Sequence, residues 1–258
     1  MTIPVRPKKY FGQHFLKDET IAKTIVQSLT NVSAYAKVLE VGPGMGVLTK
    51  YLIDDSRFET HIIDIDRESI DFLKEKFPQL KERIISADFL RISLLDYFSE
   101  PFAIIGNFPY NISSQILFKV LDHKDQIPEV VGMFQKEVAE RIAGSPKSKI
   151  YGILSVFIQA FYKVEYLFTV NEDVFNPPPK VKSAVIRLTR NSVQSLDCDE
   201  KLFIKVVKAG FNQRRKTLRN SLRPFHLKPE FSNHNFLTQR AEQLTVAEFV
   251  QLTNMVNT

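Results

Sequence analysis

The sequence predicts an α/β protein with a mostly parallel sheet covered by helices on both faces, followed by a small helical domain. Three observations carry this prediction. Strand-like and helix-like segments alternate from residue 18 to about residue 190, and such alternation implies right-handed crossovers between parallel strands. Glycines or polar residues follow four of the predicted strands. Residues 191–258 have helical spacing and hold a cluster of positive charge.

The spacing of apolar residues gives the individual elements. Short apolar runs predict strands over 37–41, 60–65, 83–86, 101–106 and 129–135. Helical spacing predicts helices over 18–30, 46–53, 67–76, 113–122, 136–142 and 150–160. Residues 162–170 and 183–189 are predicted to form a closing antiparallel pair. We therefore expect a basic N-terminal arm over 1–17, a ligand-binding domain over 18–190 and a helical domain over 191–258.

A glycine-rich loop, Gly42-Pro43-Gly44-Met45-Gly46, follows the first predicted strand. Glycines there allow the backbone to approach a ligand where side chains would collide. A dinucleotide-binding loop has the spacing G-x-G-x-x-G, but here Val47 occupies the third glycine position. Glu40, just before the loop, suits a cofactor with a cationic amino-acid end. The loop therefore favours S-adenosylmethionine over NAD.

Two acids follow the next strands. Asp64 stands at the tip of the strand that contains His61-Ile62-Ile63, where a carboxylate can accept both hydroxyls of a ribose. Asp88 follows the strand after that and could meet the adenine amine of a nucleoside cofactor. Each acid alone could equally be a helix cap or a solvated charge. Their order along the carboxyl edge of the sheet indicates a cofactor site.

The motif Asn107-Phe108-Pro109-Tyr110 ends the predicted strand over 101–106. The Asn107 side chain and the Pro109 carbonyl offer two acceptors for the N–H groups of an exocyclic base amine. Tyr110 offers a face on which the base can stack. An ordinary Asn-x-Pro turn would account for the same residues.

Phe175 precedes three consecutive prolines, Pro177, Pro178 and Pro179. Prolines stiffen a loop at little entropic cost, so we expect Phe175 to be held at the mouth of the site and to cover the second face of a base stacked on Tyr110. The alternative is that Phe175 plugs the sheet edge and the prolines end a strand.

Excess positive charge is confined to two segments. Residues 1–17 hold four basic residues and no acid, and residues 205–228 hold eight basic residues and no acid, whereas 18–204 is net negative. Arg215, Arg219 and Arg223 are spaced as one face of a helix, beside an apolar stripe of Phe211, Leu218 and Leu222. Charges of one sign repel unless phosphates compensate them, so the segment predicts contact with nucleic acid rather than a solvated basic helix.

Composition suits a cytoplasmic protein. The chain has 258 residues, 44% of them hydrophobic, which is enough for one sizeable core and a small satellite domain. Its single cysteine, Cys198, excludes an internal disulfide and fits a reducing compartment. The start of the chain lacks an apolar signal core, and the longest apolar stretch, 152–161, is too short to span a bilayer. We expect no membrane association.

Six motifs together resemble those of the KsgA-type small-subunit ribosomal RNA adenine dimethyltransferases, in order and over nearly the whole chain. They are Phe11-Gly12-Gln13-His14-Phe15-Leu16, Glu40-Val41-Gly42-Pro43-Gly44, Asn107-Phe108-Pro109-Tyr110-Asn111-Ile112-Ser113, Gln135-Lys136-Glu137-Val138, Phe175-Asn176-Pro177-Pro178-Pro179-Lys180-Val181 and Phe211-Asn212-Gln213-Arg214-Arg215-Lys216.

The resemblance implies a Rossmann-like S-adenosylmethionine-dependent methyltransferase domain with a small C-terminal helical domain. It implies four methyl transfers to the N6 atoms of two adjacent adenosines in the terminal hairpin loop of small-subunit ribosomal RNA. Transfer from an activated sulfonium needs no metal, and the lack of an obvious apolar helix seam predicts a monomer. His14 stands where relatives often have Asn, Asp64 where they often have Glu, and Phe108 where they often have Leu.

The resemblance and the motifs together predict three sets of site residues. The catalytic set is Asn107, Pro109, Tyr110 and Phe175. The cofactor-binding set is Gln13, His14, Leu16, Glu40, Gly42, Gly44, Asp64, Ile65, Asp88, Phe89 and Asn107. The RNA-binding set is Lys8, Lys9, Arg214, Arg215, Lys216, Arg219 and Arg223, and the expected partners are small-subunit RNA and the small ribosomal subunit.

Three other classes share parts of this pattern. An N6-adenine DNA methyltransferase would usually carry a separate recognition domain, for which residues 191–258 leave little room. A methyltransferase of large-subunit RNA has a similar core, but the basic segment around Arg214 favours the small-subunit enzymes. A non-enzymatic assembly factor would not require Asp64, Asp88 and Asn107 together.

Overall fold

The computed structural model describes residues 5–256, which form two compact units. The first unit contains 5–139 and Glu165–Arg190, and the second contains Glu140–Val164 and 191–256. The second unit is therefore built from two separate stretches of chain, whereas the sequence predicts a single boundary at residue 190.

Hydrogen bonds order the earlier stretch and join it to the later one. The side-chain amide of Gln159 donates to the carbonyl oxygens of Ile142 and Gly144, at 2.9 Å and 2.8 Å. The backbone N–H of Asn191 donates to the carbonyl oxygen of Phe161 at 2.9 Å, which ties the two stretches together.

The strands confirm the predicted sheet. They are β1 (Phe15–Leu16), β2 (Lys37–Val41), β3 (Glu59–Asp64), β4 (Ile84–Ser86), β5 (Phe102–Asn107), β6 (Glu129–Gln135), β7 (Tyr162–Val170), β8 (Phe175–Asn176) and β9 (Ser183–Arg190). The main sheet has the order β4-β3-β2-β5-β6-β9-β7, and β1 pairs with β8 in a small separate sheet. Pairing is parallel from β4 to β6 and antiparallel between β6 and β9. The carboxyl ends of β2, β3, β4 and β5 therefore share one edge.

The helices are α1 (Glu19–Gln27), α2 (Thr49–Ile53), α3 (Arg67–Lys76), α4 (Ser113–Asp122), α5 (Lys136–Ala143), α6 (Ile153–Phe161), α7 (Glu200–Asn212), α8 (Leu218–Ser221) and α9 (Val246–Asn254). Asp18 caps α1 by accepting from the Ile21 N–H at 2.9 Å, and this fixes where the helix begins. Helix α2 begins three residues later than predicted, because Gly46 still has a positive φ of 76° in the loop before it. Within the described residues, no helix is long and apolar enough to cross a membrane.

The predicted continuous basic helix is wrong. Helix α7 ends at Asn212 and α8 begins at Leu218, with a turn and the extended residue Thr217 between them. The Leu218 N–H donates to the carbonyl oxygen of Gln239 at 2.7 Å, a bond that starts a new element rather than continuing the old one. The apolar stripe is buried as predicted, but the basic residues Arg215, Arg219 and Arg223 do not form one helical face.

Two glycines position the end of β5. A Cβ atom on Gly132 would lie 2.3 Å from the Phe108 ring, and one on Gly106 would lie 2.5 Å from the carbonyl oxygen of Val41. The absence of side chains at these positions lets the Phe108 ring sink into the core, where it is buried. Phe108 thus anchors the turn that presents its neighbours Asn107 and Pro109 at the sheet edge.

Candidate functional site

A cavity of about 240 Å³ lies at the carboxyl edge of the sheet in the first unit. It is enclosed by the N-terminal arm, by the loop after β2, and by the ends of β3, β4 and β5. Its lining residues are Phe11, Gly12, Gln13, His14, Phe15, Gly42, Gly44, Asp64, Ile65, Asp88, Leu90, Asn107, Phe108, Pro109, Tyr110, Asn111 and Ile112. The structure therefore brings most of the predicted catalytic and cofactor-binding residues into one place.

The glycine loop forms one wall of this cavity. Gly42 and Gly44 have φ values of 70° and 55°, in the left-handed region that side chains disfavour. A Cβ atom on Gly44 would lie 2.9 Å from the Phe15 ring. The chain can therefore keep Phe15 against the loop only with glycine at position 44, a role for Phe15 that the sequence pattern alone did not indicate.

Asp64 ends β3 inside the cavity. One of its carboxylate oxygens accepts from the Asp66 N–H at 2.9 Å, and burial raises the pKa of Asp64 to about 6. Asp66 is different, because it is buried and caps α3 by accepting from the Glu68 N–H at 3.2 Å. Only the first of these two acids lines the cavity, as expected from the sequence.

Asp88 and Leu90 line the wall formed after β4. Asp88 accepts from the Leu90 N–H at 2.9 Å and pairs with Arg91 at 3.4 Å. The neighbouring Phe89 is only 5% exposed, and the ammonium group of Lys119 lies 5.4 Å from its ring centre. Phe89 does not line the cavity, whereas Leu90 does, so the predicted contact of Phe89 with a cofactor stays a prediction.

Glu40 and Leu16 lie behind the glycine loop, beside a small recess that Gly42, Gly44 and Asn107 also line. Glu40 is 1% exposed, and its carboxylate accepts from the Thr49 hydroxyl at 2.6 Å. Burial raises the pKa of Glu40 to about 8. Leu16 is a core residue, so any contact it makes with a ligand must come through the recess rather than the main cavity.

Asn107 has a fixed orientation. Its Nδ2 group donates to the carbonyl oxygen of His14 at 2.9 Å, which leaves Oδ1 as the acceptor on the other side of the amide. The carbonyl oxygen of Pro109 accepts from the Ile112 N–H at 3.2 Å. The two acceptors proposed from the sequence thus belong to one turn with a defined geometry.

The Tyr110 hydroxyl is hydrogen-bonded to a residue that the sequence did not indicate. The hydroxyls of Tyr110 and Ser183 lie 2.5 Å apart, and Ser183 is buried at the start of β9. Burial raises the pKa of the Tyr110 phenol. No short motif could reveal this contact, because 73 residues separate the two side chains.

The His14 ring packs on Tyr110, with ring centres 5.3 Å apart and an angle of 27° between the planes. Its Nδ1 atom lies 2.8 Å from the carbonyl oxygen of Pro177, the first residue of the triple-proline segment. His14 and Tyr110 both also line a second cavity, together with Lys9, Gln135 and the prolines.

The prediction that Phe175 stacks on a base is wrong. Phe175 is 1% exposed and packs in the core with Leu16, Val170 and Val185. Its strand β8 pairs with β1, so that Leu16 and Phe175 are direct neighbours. The burial of a large apolar ring against these residues favours the alternative interpretation, in which Phe175 plugs the sheet edge.

The structure separates the predicted RNA-binding residues into two groups. Lys8 is bonded to the buried carboxylate of Asp66 and lies 3.2 Å from Glu68, so its charge is compensated within the chain. This corrects its assignment as a phosphate contact. Gln13 donates to Asp66 at 3.1 Å while also lining the main cavity.

The remaining basic residues are exposed. They are Lys9 in the first unit and Arg214, Arg215, Lys216, Arg219 and Arg223 in the second. The Arg214 guanidinium donates to the carbonyl oxygens of Lys149 and Tyr151, and that of Arg219 donates to Ser232. Carbonyl groups orient these cations but do not neutralise them.

The residues at the cavity fit S-adenosylmethionine. Asp64 and Asp88 present two carboxylates at neighbouring strand ends, and Gly42 and Gly44 leave room where a Cβ would intrude. The recess beside them ends at the buried acid Glu40, which suits a cationic amino group.

Comparison with known proteins places the chain in a family. The model of the family described as "Ribosomal RNA adenine dimethylase" matches residues 5–258. "Ribosomal RNA small subunit methyltransferase A" of Cytophaga hutchinsonii is 60% identical, with 98% of each chain covered. The protein of the same name from Flavobacterium johnsoniae is 57% identical, with 98% of this chain and 96% of the relative covered.

Solved structures agree on the fold. A dimethyladenosine transferase from Plasmodium falciparum superposes with a TM-score of 0.77 at 23% identity, covering 94% of this chain and 99% of the other. The 23S rRNA methyltransferase ErmE superposes with a TM-score of 0.68 at 26% identity, covering 92% and 99%. The chain belongs to the ribosomal RNA adenine dimethylase family and is an S-adenosylmethionine-dependent methyltransferase.

Proposed function

We propose that the protein dimethylates the N6 atoms of two adjacent adenosines in the 3′-terminal hairpin loop of 16S ribosomal RNA. The Asn107 amide carries this proposal. Its Nδ2 group is engaged by the His14 carbonyl, so Oδ1 is left to accept from a ligand. The exocyclic amine of adenine provides a matching donor, and Asn107 lines the same cavity as the glycine loop and Tyr110.

S-adenosylmethionine supplies a methyl group that its sulfonium centre has already activated. When the cofactor is bound, Asp64 would accept from its ribose hydroxyls and Asp88 from its adenine amine. Gly42 and Gly44 would leave room for the methionine end, and the Glu40 carboxylate would accept from its ammonium group through the recess. A nearby cation lowers the pKa of a buried acid, so this contact favours the charged form of Glu40.

Asn107 and Pro109 prepare the target amine. Its nitrogen is a poor nucleophile because the lone pair is delocalised into the ring. The Asn107 Oδ1 atom and the second lone pair of the Pro109 carbonyl accept the two N–H groups and favour a pyramidal nitrogen. Because the reacting carbon is already activated, positioning supplies most of the rate and no nucleophilic side chain is required.

Tyr110 holds the base that carries this amine. Stacking on an aromatic ring contributes roughly 1–3 kcal/mol. The hydrogen bond to Ser183 fixes the Tyr110 ring before the base arrives, which reduces the ordering required on binding. The His14 ring packs on Tyr110 in the structure, and the entering base takes its place.

The proposal includes the partner and the compartment. The protein works as a monomer on the small ribosomal subunit, in the cytoplasm. Exposed cations of the second unit, including Arg215, Lys216 and Arg223, support contact with RNA. The relatives with 57–60% identity are named for the small subunit, which favours it over the large-subunit substrate of ErmE.

Mass spectrometry of the 16S hairpin, from cells with and without the gene, tests the proposal. We expect two dimethyladenosines that disappear on deletion and return with the wild-type gene. Asn107→Ala should fail to restore them. Asn171→Ala is the matched control, because Asn171 is exposed and its side chain caps no helix. Unchanged methylation after deletion would refute the proposed substrate.

A further inference from the structure

A separate cavity, of about 330 Å³, lies wholly in the second unit and takes no part in the site described above. Its lining residues are Lys147, Ser148, Lys149, Arg214 and Glu242. Four of these five come from outside the motifs that identify the family. Three of the five are cationic, so the cavity has a chemistry of its own.

The loop between α5 and α6 carries most of this lining, and it is tied to distant parts of the second unit. The Lys147 N–H donates to the carbonyl oxygen of Glu242 at 2.7 Å. The Arg214 guanidinium donates to the carbonyl oxygens of Lys149 and Tyr151 at 2.8 Å and 3.2 Å. These bonds fix where the loop presents its side chains.

Lys147 has a φ of 70°, and it is the one residue other than glycine with a positive φ among residues 5–256. A lysine rarely adopts this left-handed conformation, because its Cβ crowds the backbone. Glycine would adopt it without strain. The loop thus keeps a cationic side chain at a position where the backbone conformation alone favours glycine. Unfavourable backbone conformations of this kind are concentrated at functional sites.

The lining has an uncompensated positive charge. Lys147, Lys149 and Arg214 are exposed, and none of them forms an ion pair with another described residue. The single acid, Glu242, leaves the set with two positive charges in excess. Cations gathered at one cavity repel each other, and a bound anion removes that repulsion.

We propose that this cavity binds a phosphate group of the RNA backbone. The inference rests on the proposed function, since it takes ribosomal RNA as the partner. Two lysines act as ammonium point charges, and Arg214 adds a guanidinium already oriented by the loop carbonyls. Contacts of this kind hold the RNA in position without reading its sequence.

The test compares two double variants that remove equal charge. Lys147→Gln with Lys149→Gln removes both lysines of the cavity and leaves Arg214 to hold the loop. Lys23→Gln with Lys201→Gln removes two exposed lysines from α1 and α7. Affinity for purified small-subunit particles is measured over a range of salt concentrations. Loss of two phosphate contacts should make the slope of log affinity against log salt shallower by about 0.7–0.9 per contact.

We expect the cavity variant to bind several-fold more weakly with a shallower slope, and the control variant to match wild type. Equal slopes in the two variants would overturn the proposal. A wild-type protein that neither binds these particles nor methylates their RNA would instead refute the proposed function. The two failures are therefore distinguishable.

Single substitutions at Lys147 separate charge from fold. Lys147→Gly relieves the backbone strain, so it should fold at least as stably as wild type while still losing one contact from the salt slope. Lys147→Arg should keep the wild-type slope. A glycine variant with an unchanged slope would overturn a role for this lysine.

A further experiment tests whether the cavity binds a phosphate of RNA or a free phosphate ion. Thermal unfolding is measured with inorganic phosphate and with chloride at matched ionic strength. Stabilisation by phosphate that is lost in the double variant, without any change in the RNA salt slope, would mean that the cavity takes a free anion and would overturn its assignment to RNA.

Discussion

Asp64→Asn gives the sharpest test of the cofactor site, because burial has already changed the chemistry of this carboxyl. Its pKa is raised to about 6, and the ionised form is the one that accepts both ribose hydroxyls. At pH 5 only about a tenth of the free protein has an ionised Asp64, so protonation of Asp64 by itself should lower S-adenosylmethionine affinity about tenfold between pH 7.5 and pH 5.

The Asp64→Asn variant should remove the part of the pH dependence that comes from Asp64. An amide at this position does not titrate, so the variant's affinity should fall about tenfold less than that of wild type over the same range, and at pH 7.5 it should be weaker than wild type by about 1.5–3 kcal/mol. Of the two neighbouring acids, Glu40 also titrates in this window and contributes equally in both proteins, so the difference between wild type and variant is what reports on Asp64. Burial raises the pKa of Glu40 to about 8. Burial alone would also raise the pKa of Asp66, but bonds from Lys8 and Gln13 outweigh it and lower that pKa.

The same substitution should stabilise the protein without cofactor. Asp64 ionises near its ordinary pKa of 3.8 in the unfolded chain, but its pKa is about 6 in the folded one. As pH rises between these values the unfolded chain loses its proton first, so stability falls, and above pH 6 the loss is constant at roughly 2–3 kcal/mol. The variant does not suffer this loss of stability, because its amide is uncharged at every pH. Its hydrogen bonds to the loop N–H groups are weaker than those of a carboxylate, and this offsets part of the gain.

Isothermal calorimetry from pH 5 to 7.5 and urea unfolding at pH 7.5 measure the two effects. Weaker cofactor binding together with higher stability is the expected pair. A wild-type affinity that does not change with pH, or a variant that is less stable than wild type at pH 7.5, would refute the reasoning about buried Asp64.

Three further predictions concern the target site and the RNA surface. Asn107→Ala should leave RNA bound and slow single-turnover methyl transfer by roughly 10²-fold, as rapid-quench assays can measure. Phe175→Ala should lower the free energy of unfolding by about 3–5 kcal/mol, because the ring is a core residue. Phe175→Leu should keep a near-normal rate of methyl transfer for the same reason. If a stably folded Leu variant lost as much methyl transfer as the Ala variant, Phe175 would again be assigned to base stacking. Changing Arg215, Arg219 and Arg223 to Gln should make the salt slope of particle binding shallower by about 0.7–0.9 per lost contact with little change in cofactor affinity, and an unchanged slope would remove these residues from the RNA surface.

The sequence alone determined the parts of this protein that depend on local spacing. The bounds of β2, β6, α3 and α4 match those predicted from apolar periodicity. The positions of the glycine loop, Asp64, Asp88 and Asn107 could also be predicted, because parallel strands bring their carboxyl ends to one edge. Each of these predictions needs only a repeat of a few residues and a known handedness of connection.

Tertiary structure decided which side chains are free to act. Lys8 looked like a phosphate contact until Asp66, 58 residues away, compensated its charge. Phe175 looked like a base platform until the pairing of β8 with β1 placed it in the core. Ser183 gave no signal in the sequence, yet it fixes Tyr110. Burial and partnership depend on residues that are distant along the chain, so local patterns cannot specify them, and only the folded protein brings these side chains together.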